Sequence, residues 1–148
     1  MGLDMYLSAK RYLYKKDDDE IVNVIKAEQI NGMGEMRPKA IVCEAMYWRK
    51  ANAIHKWFVD HVQDGVDDCG EYEVYSGQLR ELESLCLKVL AERGKATELL
   101  PPCEGFFFGS KEIDDYYWED LQNTADRIAK LLSTEGVEDW DFFYSSSW

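Results

Sequence analysis

The run EAMYWRKANAIHKWFVDHVQDGVDDCGEYEVY, from Glu44 to Tyr75, decides how the chain is read. Ala51, Ile54, Phe58 and Val62 recur at steps of three and four, the spacing that lines up one face of a helix. Glu44, Trp48, Asn52, His55 and Val59 form a second stripe beside them, so the helical period is expected from Ala40 onward. Gly65 suits the left-handed turn that ends a helix, and the aspartates after it favour a turn. Glu71 to Tyr75 then alternates, the two-residue period of a strand.

Outward from this stretch the period changes several times. Leu3, Met5 and Leu7 alternate with Gly2, Asp4 and Tyr6, which predicts a half-buried strand at the start, with pairing continued through Arg11 to Tyr14. Lys15 to Glu20 reads as a charged turn, and β-branched Ile21, Val22, Val24 and Ile25 predict a second strand that closes a hairpin. Gln29 to Lys39, with Gly32, Gly34 and Pro38, reads as a loop. On the other side Ser76 opens a helix whose apolar face is Leu79, Leu82, Cys86, Val89 and Leu90. Pro101 and Pro102 interrupt regular structure, and GFFFGS, Gly105 to Ser110, reads as a short strand. Asp114 and Asp115 open a third helix with Tyr117, Leu121, Thr124, Ile128, Leu131 and Leu132 inward. A strand from Val137 to Tyr144 and a frayed Ser145 to Trp148 complete the reading. The expectation is α+β: a single domain, 1–148, with an antiparallel sheet and about three packed helices. It divides into an N-terminal hairpin (1–28), a central helix–turn–strand (41–75) and C-terminal helices and strand (77–144).

Chemistry concentrates in the opening stretch. Asn52 and His55 share a helix face with Arg49 to one side, a trio able to hold an anionic or amide-bearing ligand. The plainer account is a solvated arginine and a satisfied, partly buried histidine. His55 and His61 are six residues apart and point to roughly opposite sides of a helix, so metal binding has no recognised ligand spacing. Asp67, Asp68 and Cys69 supply a possible nucleophile and acids beside His55, without any local sequence that activates a cysteine. The aromatic clusters Phe106 to Phe108 and Tyr116 to Trp118 offer stacking faces, although core packing accounts for most such residues.

Asp and Glu number 29 against 17 Lys and Arg, a formal net charge of −12 that opposes direct binding to duplex DNA. It would suit a basic groove on a partner protein. Cysteines at 43, 69, 86 and 103 form no paired motif, and no apolar run approaches the ~20 residues of a membrane span. No cofactor or metal is expected. A cytoplasmic protein with free thiols, without membrane contact and with oligomerisation open, is expected.

MGLDMYL, YWRKANAIHKWFVDHVQDGVDDCGEYEV, and GFFFGS with IDDYYWEDL together resemble a family of small bacteriophage and prophage proteins, over Met1 to about Leu132. The label phosphoglycerate kinase that members carry does not fit, since that enzyme is a large two-domain protein and no phosphate-binding glycine loop is present. The resemblance implies a viral accessory role in the host cytoplasm and carries over no reaction. Within these motifs the candidate ligand-binding residues are Trp48, Arg49, Asn52, His55, Asp67, Cys69 and Tyr72. The leading expectation is a non-enzymatic host-defence antagonist that binds a host protein or sequesters a small nucleotide-like signal. A small hydrolase or nucleotide-processing enzyme using His55, Asp67, Asp68 and Cys69 is the alternative, and a virion or assembly component the third.

Overall fold

A computed structural model describes residues 2–14, 16–28, 30–105 and 110–148, excepting the side chain of Lys16. It is α+β, as the periods predict. Four strands, β1 (Asp4–Tyr12), β2 (Ala40–Arg49), β3 (Glu71–Val74) and β4 (Asp141–Ser147), form an antiparallel sheet in the order β2-β1-β4-β3. Among the described residues there are five α-helices: α1 (Asp19–Ala27), α2 (Asn52–His61), α3 (Ser76–Ala91), the single turn α4 (Ala96–Leu99) and α5 (Asp115–Leu132). That is more than the three expected, because α1 and α4 lie where no helix was read.

One face of the sheet makes the core. Leu3, Met5 and Leu7 are fully buried with Met46, Tyr144 and Phe142, against Ile54 and Phe58 of α2, Leu79 and Leu82 of α3, and Leu121 and Ile128 of α5. Phe58 stacks on Tyr144 with ring centroids 3.9 Å apart, and Trp48 meets Phe58 edge-on at 5.8 Å. Each such side chain withdrawn from water contributes about 1.5–3 kcal/mol before the cost of ordering it.

Three expectations change. The helix read from Ala40 begins at Asn52; residues 40–49 are strand, with Met46 and Trp48 buried and Tyr47 and Arg49 turned the other way. Trp48, Asn52 and His55 match a helical step only by spanning a strand, a corner and a helix. The hairpin expected within 1–28 is absent among the described residues. Ile21, Val22 and Ile25 also fit a helical face, and the acids Asp17 to Glu20 favour a helix start, so the segment is α1 and β1 takes β2 as its partner. Ser145 to Ser147 do not fray, being paired with β1, and Ser145 with β3 as well. The strand expected across Gly105 to Ser110 falls largely on residues 106–109, outside the described residues. No helix among the described residues is long and apolar enough to cross a membrane.

The remaining elements follow their local signals. Asp114 caps α5 by accepting from Tyr117 N at 3.0 Å. Gln78 joins two helix ends, accepting from Tyr75 N and donating to His61 O, both at 2.9 Å. Gly65 takes a left-handed φ of 79° and its N–H satisfies Val59 O at 2.8 Å.

Candidate functional site

The sequence candidates separate into two places. Arg49 and Asn52 border a cavity of about 350 Å³ between the β2–α2 corner and the start of α5. The corner is tight. Lys50 holds a left-handed φ of 58°, and Ala51, at φ −75° and ψ 67°, centres an inverse γ-turn closed by Asn52 N to Lys50 O at 2.8 Å. Holding a lysine in that conformation costs on the order of 1 kcal/mol. Asn52, 5% exposed, donates from Nδ2 to Ser110 O at 2.7 Å and ties the helix start to the segment before α5.

The opposite wall comes from α5 and the residues leading into it. Glu112, Asp114, Tyr116, Tyr117 and Asp120 line it. Tyr117 is anchored, its hydroxyl donating to Leu100 O at 2.8 Å, whereas Tyr116 is 76% exposed. Asp120 is half-buried, and among the described residues it has no hydrogen bond or ion pair. Burial, with the nearby charges of Asp114 and Glu119, raises its carboxyl from the ordinary value to about 6. Across the cavity Arg49 and Lys50 form no ion pair with any of the described residues either. The cavity therefore holds two cations and one partly desolvated carboxylate, none paired with another of the described residues. Such an arrangement suits a ligand with an anionic end and a hydrogen-bond-donating end.

His55 and Asp67 lie elsewhere, in a closed network. The fully buried His55 ring meets the Tyr144 hydroxyl through Nδ1 at 2.8 Å and Asp67 Oδ2 through Nε2 at 3.0 Å. The other Asp67 oxygen accepts from Trp148 Nε1 at 3.1 Å. Burial first, then the Asp67 charge, pushes the Tyr144 hydroxyl well above its usual value. Both imidazole nitrogens are engaged, so the ring holds β4 against α2 and has no lone pair to offer a substrate. Asp68 accepts from the Tyr72 hydroxyl at 3.0 Å and from Gly70 N at 2.9 Å, and that hydrogen bond holds the Tyr72 hydroxyl above its usual range. Cys69 sits exposed in this turn with φ 58°. Trp48 belongs to the core, 5% exposed, its Nε1 donating to Thr124 Oγ1 at 2.8 Å. All four cysteines are free, and burial raises the Cys86 thiol to about 12, which keeps it unreactive.

The cavity thus brings together Arg49 and Asn52 of the expected set, and the network His55 and Asp67. Asp120 is absent from the expected set, and Tyr116 enters it only within the aromatic cluster 116–118 that offers stacking faces. The available signal was their i, i+4 spacing on a predicted helix, which stacks an aromatic and an acid on one face. No group of three or more His, Cys, Asp or Glu among the described residues is arranged to hold a metal ion. Compared with protein-family models, with curated proteins and with solved structures, the chain matches none.

Proposed function

We propose that the chain is an accessory binding protein of bacteriophage type, acting as a host-defence antagonist that sequesters a small nucleotide-like ligand. The observation that carries this reading is the cavity between the β2–α2 corner and α5, in which Arg49, Lys50 and Asp120 pair with none of the described residues, beside the exposed ring of Tyr116. A phosphate takes the cations. A base stacks on Tyr116, and its polar edge falls toward Asp120. The volume is within the range of small-molecule sites. Resemblance to small phage proteins supplies the biological setting.

The test is isothermal titration with nucleoside monophosphates, for the full chain and for Arg49→Ala and Lys50→Asn. Asparagine tolerates the left-handed backbone at position 50, so that variant removes charge without adding strain. Each variant is expected to weaken binding about 10-fold, and the wild-type affinity to fall with added salt. Wild-type protein that takes up no nucleotide at millimolar concentration rejects the reading.

A further inference from the structure

Three features point to which base the cavity takes, an inference that rests on the nucleotide reading above. Tyr116 and Asp120 stand one helical turn apart on α5, so their side chains are neighbours on a single face. Tyr116 is exposed, and Asp120 is half-buried beside the anchored Tyr117 and Leu121, deeper in the same cavity. Asp114, its acidic neighbour, is already used as the α5 cap, and Asn52 already donates to Ser110 O. Glu112 is exposed at the rim, so among the described residues Asp120 is the half-buried lining acid whose two oxygens are both open, four residues from a stacking ring.

We infer that Asp120 is the specificity-determining residue of the cavity and selects guanine. A base lying on Tyr116 presents its Watson–Crick edge along the helix face. Guanine offers two adjacent donors there, N1–H and the N2 amino group, which match the two oxygens of one carboxylate. Adenine offers a donor, the N6 amino group, beside the lone pair of N1, which faces the second oxygen in repulsion. Among the described residues the carboxylate of Asp120 has no cation of its own to compete for these donors. A guanine edge supplies what folding withholds from it, two hydrogen bonds at a half-buried position.

Equilibrium titration of the full chain with GMP, AMP and agmatine at pH 7.5, repeated with Asp120→Asn, decides the matter. The expected result is GMP bound about 10- to 100-fold more tightly than AMP, with the preference lost in Asp120→Asn, whose amide keeps one acceptor and gains a donor. Circular dichroism of Asp120→Asn confirms that its fold is kept. GMP and AMP bound equally, and unchanged by the substitution, would overturn guanine selection while leaving nucleotide binding in place. Agmatine bound in preference to either nucleotide would overturn both, and mark the acids as a site for an organic cation. No binding of any of the three overturns the nucleotide reading and this inference with it.

Discussion

Two clusters of polar residues flank α2, and they have been spent in opposite ways. One turn into the helix, His55 meets Asp67 and, across 89 residues of chain, Tyr144, with Trp148 on the other Asp67 oxygen, and the imidazole is wholly removed from water. At its start, Arg49, Lys50 and Asp120 surround open space without pairing, and one of them is held in a conformation that L-residues avoid. The first arrangement gains from being closed: each buried donor or acceptor has a partner, and the loss of one strands the others. The second is less stable than it would be with paired or apolar residues. An excess of unpaired charge at a half-buried position is how a fold reserves affinity for something outside itself. A titratable residue in a polar cluster is thus weak evidence of function until its partners are known.

Substitutions in the two clusters should separate them, by sign as well as size. His55→Ala is expected to be the most damaging, at about 3–4 kcal/mol, because it opens a cavity and leaves the Tyr144 hydroxyl and an Asp67 oxygen without partners. Urea denaturation measures it, and a loss below ~1 kcal/mol would mean that the network does not hold β4.

Asp120→Asn should act in the other direction. The folded state raises this carboxyl to about 6 from the ordinary 3.8, so folding takes up a proton between those values. The wild type consequently has the group's full contribution to stability below about pH 3.8 and loses it as pH rises through about 6. Asparagine does not titrate. The variant should be more stable by about 1 kcal/mol at pH 8, after allowing for partial solvent screening, with the difference gone near pH 4. Thermal denaturation across that range reads it. A variant no more stable than wild type at pH 8 would place Asp120 among satisfied groups, and the contrast would collapse.

Trp148→Ala should have the smallest effect, under about 1 kcal/mol, since the ring is 43% exposed and contributes one hydrogen bond to Asp67. A larger loss in the same urea experiment would extend the closed network to the indole.

Most elements could be read from residues, and the exceptions have physical causes. Leu3, Met5 and Leu7 alternate without competing signals, and β1 follows; Leu79, Leu82, Cys86 and Val89 likewise define α3. The helical period extends too far back toward Ala40 because Trp48, buried from a strand, stands four and seven residues before Asn52 and His55, distances that a helix also produces. Ile21 to Ile25 have strand-forming side chains in a helix-compatible order, and only the long-range pairing of β1 with β2 resolves the ambiguity. The site was half legible. Arg49 and Asn52 attracted notice as polar residues among aromatics, but the acid opposite them comes from a helix more than sixty positions later. His55 attracted notice too. Nothing near it in sequence announces that Tyr144 consumes one of its nitrogens.

The position of β4 has a consequence for how the protein is made. This strand is synthesised after the other three, yet it lies between β1 and β3 and carries Phe142 and Tyr144 into the middle of the core. While the ribosome is still translating, β1 and β2 can pair and the helices can form, but β3 has no neighbour and the ring of Phe58 has nothing to stack on. The sheet closes only when β4 enters between two strands that precede it by more than sixty residues, a long-range step paid for in loop entropy. Until then the chain exposes apolar surface and two unpaired strand edges, the condition in which aggregation and chaperone capture compete with folding.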